Sequence, residues 1–414
     1  MSTPGPVALY KSITPTQWKS LFAAQAGWML DAMDVMFYAF ALTVIRSEFD
    51  LSSAQGGALA SVTLVASSVG GILVGVLADR IGRARALMYS ILTYSFFTAL
   101  TATSRSVPEL VLWRTLVGFG MGGEWSAGSV LVSETWPAEH RGKAIGFMQA
   151  GWAIGYILAA ILAAVVLPAY GWRVLFLFGI LPSLLAAWIR KGVPEPEIWR
   201  TGRQNPAMSS FAGFRQIFRA PLAERTIVAT AVATSVLFAY WGLFTWMPTF
   251  LAAPIEQGGA GMGVVKSSGW IIPMQIGAFA GYTSFGFLAD RFGRRPVFVS
   301  FLLSAALLTP LFGQLGRHEN LLFVLAPFVG FFGHGYFSVF GSMLAELFPT
   351  PIRATAQGLT YNVGRALSAL APVIIGALAD QYGIGSALAL TSAFFLAGAG
   401  LIFLLPETRG RQLV

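Results

Sequence analysis

Long apolar stretches separated by short polar connections run from one end of the chain to the other. Twelve of them lie near residues 20–45, 54–78, 85–104, 109–133, 144–167, 172–190, 226–251, 266–289, 296–315, 321–345, 355–379 and 384–405. A helix needs about 20 apolar residues to cross the hydrocarbon core of a bilayer. The pattern therefore predicts an all-α membrane protein with twelve transmembrane helices.

The longest polar stretch, residues 191–225, falls midway along the chain. It predicts an N-terminal six-helix bundle over residues 1–190, a cytoplasmic linker over 191–225 and a C-terminal six-helix bundle over 226–414. Composition agrees with a membrane protein, since 56% of residues are hydrophobic and only 11% are charged. A soluble domain carries about a quarter charged residues. We therefore expect the lipid bilayer to cover most of the surface.

The basic residues are distributed unequally between the two sides of the predicted bundle. If the N-terminus is cytoplasmic, twenty of the 27 Lys and Arg residues lie in cytoplasmic segments and five on the opposite side. The remaining two, Arg114 and Arg365, lie within spans. Because Lys and Arg concentrate on the cytoplasmic side of membrane proteins, we expect cytoplasmic termini and a multi-pass protein of the cell inner membrane. The net charge of +9 then reflects topology, and no nucleic-acid partner is expected.

Several functional classes are disfavoured by what the sequence lacks. There is no Cys and there are only three His residues, so neither a disulfide framework nor a metal site is expected. No G-x4-G-K-[ST] phosphate loop of an ATP-driven pump occurs, and no nucleophile–base set is recognisable. We expect neither an enzyme nor a bound cofactor. A receptor without flux is a further alternative, but residues 191–225 are short for the signalling domain it would need.

The two halves of the chain share charged junctions. The segment Gly-Val-Leu-Ala-Asp-Arg-Ile-Gly-Arg at 75–83 returns 211 positions later as Gly-Phe-Leu-Ala-Asp-Arg-Phe-Gly-Arg at 286–294. Two more junctions return after 212 positions: Glu134 with Arg141 as Glu346 with Arg353, and Pro194-Glu195 as Pro406-Glu407. Such parallel repeats are related by an axis along the membrane normal, with the substrate site between them.

Family motifs accompany these repeats. The G-x-L-A-D-R-x-G-R loop and Arg114-x3-Gly118-x-Gly120 resemble two motifs of the major facilitator superfamily, and the first occurs twice. Gly122-Gly123-Glu124-Trp125 is similar to a segment of the sialate and monocarboxylate proton symporters. Asp31-Ala-Met-Asp34 resembles the D-G-x-D of aromatic-acid proton symporters, with Ala in place of Gly. The resemblance implies the twelve-helix fold, alternating access and a small-molecule substrate.

Three acids lie in the interior of predicted spans, where an ionised group costs at least about 2.5 kcal/mol and so needs a partner or a task. Asp31 and Asp34 are three residues apart and share a helix face. Two carboxylates this close do not both ionise readily, so one of them can bind and release a proton near neutral pH. We expect proton coupling at Asp31, Asp34 and Glu124. The alternatives are a structural pair with Arg114 for the two aspartates, and simple packing for Glu124.

Arg114 could hold one of these aspartates and exchange it for an anionic substrate, because guanidinium binds carboxylates with two parallel hydrogen bonds. A permanent ion pair between helices is the alternative. Arg365 could supply a second cation, or could pair with Glu346 as part of a gate. Further candidates for substrate contact are polar or aromatic groups near the middle of spans, each of which could instead only pack: Gln149, Trp152, Tyr240, Trp241, Gln275, His334 and Asn362.

The charged junctions at the cytoplasmic helix ends are expected to act as gates. Ion pairs there could hold one state and break as the halves move. One surface ion pair contributes only about 0–1 kcal/mol, so a network is needed. The expected pairs are Asp79 with Arg83, Glu134 with Arg141, Asp290 with Arg294, and Glu346 with Arg353.

Together these features predict a secondary transporter that imports a small organic anion, a carboxylate, with protons. Two buried arginines favour an anion, and the buried acids favour proton coupling. The alternatives are a facilitator or symporter of a sugar or other metabolite, and a proton-coupled effluxer. The fold needs no second subunit, so we expect a functional monomer.

Overall fold

The fold is known from a computed structural model, which describes residues 13–197, 217–219, 222–348 and 353–407. Within these ranges every regular element is helical. The first half contains α1 (Pro15–Glu48), α2 (Ser53–Ile81), α3 (Arg83–Thr101), α4 (Val107–Thr135), α5 (Ala138–Leu177) and α6 (Pro182–Gly192). The second half contains α7 (Leu222–Phe244), α8 (Met247–Ala252), α9 (Val264–Phe292), α10 (Arg294–Gln314), α11 (Glu319–His334), α12 (Phe337–Leu347), α13 (Arg353–Ser368), α14 (Leu370–Tyr382), α15 (Ile384–Leu388) and α16 (Leu390–Leu401).

Eight helical segments among the described residues are long and apolar enough to cross a membrane. One of them, Gly142–Ile189, contains 48 residues and would extend about 70 Å at about 1.5 Å per residue. It breaks at Gly171, whose φ of 77° is easily reached only without a side chain. The segment therefore accommodates two predicted spans. The total of twelve, the cytoplasmic termini and the division into two bundles stay predictions, and most of the expected linker lies outside the described residues.

The first two helices begin at polar capping residues that the sequence places just before the apolar stretches. The Thr14 hydroxyl accepts a hydrogen bond from Gln17 N (3.3 Å), and the Gln17 side chain accepts one from Thr14 N (2.7 Å). Ser52 and Gln55 form the same reciprocal pair, at 3.2 and 2.9 Å, before α2. These pairs satisfy N–H groups that have no partner within the helix.

The two halves pack directly against each other at the end of the bundle where α1 connects to α2, which we call the predicted outer end. Gly57 of α2 faces α14 so closely that a Cβ atom would lie 2.2 Å from the Pro372 carbonyl oxygen. Gly376 of α14 approaches the Ser53 carbonyl in the same way, at 2.4 Å. Small residues permit such close approach of membrane helices. In this state the halves are closed together at that end.

Candidate functional site

A cluster of five charged side chains is buried between α1, α4 and α13. Asp31 and Asp34 of α1 are 2% and 0% exposed, Arg114 and Glu124 of α4 are 2% and 0% exposed, and Arg365 of α13 is 4% exposed. Charges this deeply buried are costly unless they are paired or functional. The structure thus brings together the three predicted proton-coupling acids and both predicted membrane-embedded arginines.

Arg114 lies within electrostatic reach of both aspartates of α1. Its guanidinium carbon is 5.0 Å from the centre of the Tyr38 ring, a distance at which a cation and a ring attract each other. Gly179 packs closely against Thr98, because a Cβ atom there would lie 2.2 Å from Thr98 Cγ2, and it would lie 3.4 Å from Asp34 Oδ1. Arg114 is therefore packed against an aromatic face, within electrostatic reach of two carboxylates.

Glu124 and Arg365 extend the cluster toward the opposite end of the bundle. Arg365 acts electrostatically on both Asp31 and Glu124, and its guanidinium carbon is 5.1 Å from the Tyr361 ring centre. Glu124 faces Gly27 of α1, where a Cβ atom would lie 2.5 Å from the carboxylate Oε1. A larger residue at Gly27 would displace this carboxylate.

Most hydrogen-bonding atoms of this cluster have no partner among the described residues. These atoms are Asp31 Oδ1, both carboxylate oxygens of Asp34 and Glu124, Arg114 Nε and Nη1, and Arg365 Nε. Buried polar groups in proteins are nearly always hydrogen-bonded. The cluster can therefore accept additional bonding partners, namely protons on the acids and an anion on the guanidinium groups.

Aromatic rings from both halves lie next to this cluster. Trp152 packs 4.6 Å from Trp28, 5.9 Å from Trp241 and 6.4 Å from Tyr240, measured between ring centroids. The indole nitrogens of these three Trp residues and the Tyr240 hydroxyl have no hydrogen-bond partner among the described residues. The predicted contacts Trp152, Tyr240 and Trp241 thus form one group, with apolar faces and free polar atoms.

The other predicted contact residues are also buried. Gln149 accepts a hydrogen bond from Trp125 Nε1 (3.3 Å), and Asn362 donates one to Gly358 O (3.0 Å). His334 Nδ1 lies 3.1 Å from Gly330 O, while its Nε2 lacks a partner within the described part of the chain. Gln275 is fully buried with neither amide atom bonded there. Within the described part of the chain, no hydrogen bond joins Gln275 to the charged cluster.

Sequence reasoning missed a stack of two rings that joins the halves. Trp125 of α4 stacks on Tyr361 of α13, with 4.3 Å between centroids and 14° between planes. Tyr361 is also the ring beneath Arg365. Tyr361 lies four residues before Arg365 and therefore on the same helix face. That spacing could have identified it as part of the site. Trp28, three residues before Asp31, gave the same kind of signal.

The predicted gating residues are only partly described. Arg83 forms a two-pronged pair with Glu134, with Nε–Oε2 and Nη2–Oε1 both at 3.1 Å. This pair links α3 to α4 within the first half. The side chains of Asp79, Arg141, Asp290, Glu346 and Arg353 lie outside the described residues, so the pairs expected for them stay predictions. The Arg294 backbone N–H donates to Glu407 Oε1 (3.3 Å).

The buried site is enclosed in this structure. The cavity between Arg114 and Trp241 measures about 20 Å³, close to the space one water needs. The halves are also joined by a buried hydrogen bond that Tyr156 of the first half donates to Phe244 O of the second (3.1 Å). A central, charged, enclosed site between helices that cross a bilayer defines the class of protein as a membrane transporter, which must open to admit its substrate.

Comparisons with known proteins agree with this class. The model of the Major Facilitator Superfamily matches residues 26–284 and 265–413, and the chain therefore belongs to that superfamily. It is a multi-pass membrane transporter and not an enzyme. The resemblance carried by the repeated loop and the α4 motif is confirmed.

Similar proteins cover nearly the whole chain. A putative metabolite transport protein of Haemophilus influenzae is 36% identical over 96% of this chain and 98% of its own length. The cis,cis-muconate transport protein of Acinetobacter baylyi is 33% identical, with 92% of each chain covered. The crystal structure of a D-xylose–proton symporter matches with a TM-score of 0.76 at 18% identity, over 96% of this chain and all of the other. That last similarity supports the fold alone.

Proposed function

We propose that this transporter imports a small organic anion, a carboxylate, together with protons, by alternating access across the inner membrane of the cell. The observation that carries the proposal is the buried cluster of three acids and two arginines whose atoms are largely without hydrogen-bond partners among the described residues. Such a cluster has the groups to bind an anion and the groups to bind protons, within one enclosed space.

The charges of the cluster support coupling between the two ligands. With all groups ionised, three carboxylates and two guanidinium groups leave one excess negative charge in a site of low dielectric. A bound carboxylate substrate would add another negative charge. Because like charges at close range disfavour the ionised form of an acid, substrate binding favours proton uptake by Asp31, Asp34 or Glu124. Proton and substrate thus bind together and are released together.

The arginines support an anion as the substrate. Arg114 and Arg365 come from different halves of the chain, so an anion bound to both would favour the state in which the halves are closed. Arg365 approaches the acids of the first half, which occupy the position such an anion would take. The substrate would then replace one of these acids as the partner of Arg365, and the displaced acid would take up a proton.

The aromatic group supports a planar, unsaturated carboxylate as the substrate. Trp28, Trp152 and Trp241 offer aromatic surface, which attracts flat π-systems, and the arginines offer two-pronged bonding to a carboxylate. The similar protein of Acinetobacter baylyi is named as a muconate transporter, and muconate is a compound of this kind. Lactate-like, sialate-like and sugar-acid substrates form the comparison set for the test.

The test is uptake by proteoliposomes across labelled aromatic, unsaturated and aliphatic carboxylates and neutral sugars, with and without an inward proton gradient. We expect one planar carboxylate to accumulate with the gradient and the accumulation to collapse with a protonophore. Arg114→Ala should weaken its binding, whereas Arg317→Ala, at the predicted outer surface, should not. Uptake that only equilibrates, or that favours a neutral sugar, would contradict the proposal and favour a facilitator. Gradient-driven extrusion would favour an effluxer.

A further inference from the structure

A groove of about 980 Å³ lies between α3 and α6, at the end of the bundle opposite the predicted outer end. One wall is formed by Ala84, Arg85, Met88, Tyr89 and Leu92 of α3. The other wall runs from Ser183 through Ala186, Ala187 and Ile189 to Lys191 and Glu195. The wall residues deeper in the bundle are small or apolar, and the charged residues all lie at the mouth.

The mouth of the groove carries a positive charge. Arg85 and Lys191 are both exposed. Among the described residues that line the groove, the acid is Glu195, which accepts hydrogen bonds from the backbone N–H groups of Ala84 and Arg85, both at 3.1 Å. Its charge is therefore directed at the start of α3, where a helix attracts anions. The two cationic side chains are left facing outward, next to an apolar channel.

The second half of the chain provides an internal comparison, because the repeats align the two halves. The positions of Ser183 and Lys191, 212 residues later, are Phe395 and Phe403, and the position of Arg85, 211 residues later, is Pro296. Phe395 is fully buried, and Arg295 bridges the corresponding gap by donating to Phe403 O (3.2 Å). The corresponding place thus has no counterpart of Arg85 or Lys191, and the Arg295 side chain spans it.

We propose that the α3–α6 groove binds an anionic phospholipid of the cytoplasmic leaflet. Its phosphate would lie between Arg85 and Lys191, and the start of an acyl chain would lie along Met88, Leu92 and Ala187. Basic pockets between membrane helices on the cytoplasmic side recognise anionic headgroups in this way. The half-exposed Tyr89 ring lines the same groove, and aromatic residues are enriched near the membrane surface. The proposal is independent of which substrate is transported.

The test is native mass spectrometry of the full chain in detergent, with equimolar phosphatidylglycerol and phosphatidylcholine that have identical acyl chains. We expect the protein to retain phosphatidylglycerol preferentially. Arg85→Gln combined with Lys191→Gln should reduce this preference by about fivefold for each cation removed. The matched control combines Lys143→Gln with Arg291→Gln, which removes two exposed cations from the same end but outside the groove. The control should keep the preference.

A second variant tests the groove itself without changing any charge. Ser183→Phe copies the residue at the corresponding place of the second half and should fill the channel, reducing retention of both lipids at this site. An excess of soluble glycerophosphoglycerol should not displace the lipid, because it has no acyl chain. Three results would each overturn the proposal. The unaltered protein could retain both lipids equally, or the control variant could lose the preference for phosphatidylglycerol as much as the groove variant does. The soluble headgroup could also displace the lipid.

Discussion

Asp380, near the end of α14, joins the two halves at the predicted outer end. Its carboxylate oxygens accept hydrogen bonds from the backbone N–H groups of Ser53 (3.0 Å) and Ala54 (3.1 Å), at the start of α2. Arg46 Nη2 lies 3.9 Å from the same carboxylate. The alternating access proposed above requires the halves to separate at this end during part of the cycle. We therefore predict that Asp380→Ala shifts the protein toward its outward-open state.

The size of the shift follows from the contacts that are lost. Removing a side chain that caps the start of a helix costs about 0.5–2 kcal/mol. The ion pair adds about 0–1 kcal/mol, since the Arg46 and Asp380 side chains are 24% and 34% exposed. The two ranges add up to about 0.5–3 kcal/mol. The middle of that sum, about 1–2 kcal/mol, changes the ratio of closed to open molecules by about 5–30-fold.

The assay uses the absence of native cysteine from the chain, so that an engineered thiol reports alone. Ala60 lines the small buried cavity together with Arg114 and Trp241 and is only 7% exposed. In an Ala60→Cys protein, a membrane-impermeant maleimide added from outside should react slowly. Adding Asp380→Ala should accelerate labelling by about 5–30-fold.

Glu256→Ala provides the matched control for this experiment. Glu256 is an exposed acid of the 3-10 turn Ile255–Gln257, and the neighbouring Gly258 lies against Gly383 at the end of α14. Removing the Glu256 side chain takes one negative charge from the predicted outer end without altering the start of α2. If Asp380→Ala labels no faster than this control while the protein remains folded, Asp380 does not hold the halves together and the reasoning is refuted.

Three further predictions concern the buried site and the contact between the halves. Asp31→Asn and Asp34→Asn should each abolish proton-driven accumulation and flatten the pH dependence of uptake. The variant proteins should remain monodisperse, which shows that they are folded. Full accumulation in both variants would exclude these acids from proton coupling. Arg365→Gln should raise KM for the carboxylate about 10-fold or more, since hydrogen bonds to charged groups contribute about 1.5–3 kcal/mol; an unchanged KM in uptake assays would assign it a structural role. Gly57→Leu should prevent the halves from closing at the predicted outer end, because even a Cβ atom would lie 2.2 Å from the Pro372 carbonyl. In the Ala60→Cys assay we therefore expect fast maleimide labelling together with loss of uptake. Normal uptake would contradict this prediction.

The helical class of the fold was predictable because a bilayer imposes a length and a composition on every helix that crosses it. The capping pairs at Thr14 and Ser52, and the break at Gly171, are local features that sequence also encodes. Helix boundaries in the second half were less predictable. Predicted spans there are interrupted, as between α11 and α12 or α13 and α14, where the surrounding helices and not the local pattern decide how the backbone continues.

Much of the candidate site was also predictable, because charge within an apolar span is conspicuous. Asp31, Asp34, Arg114 and Glu124 were found on that ground, and their burial agrees with it. The aromatic partners were harder to recognise, since Trp and Tyr are common on lipid-facing surfaces. The stack of Trp125 on Tyr361 depends on which faces of α4 and α13 meet, and no local pattern contains that information.

The sequence by itself determined that this chain lies in a membrane, repeats its halves and buries acids with arginines, because each of these properties depends on local composition or on spacing along the chain. Tertiary structure alone decided that Arg365 reaches the acids of the first half, that Arg83 pairs with Glu134 and that Asp380 caps α2. Lipid tails are as apolar as the helices they surround, so hydrophobicity does not select which helix faces pack together. Small residues, ring shapes and buried charges make that selection, and they act only once the helices are side by side.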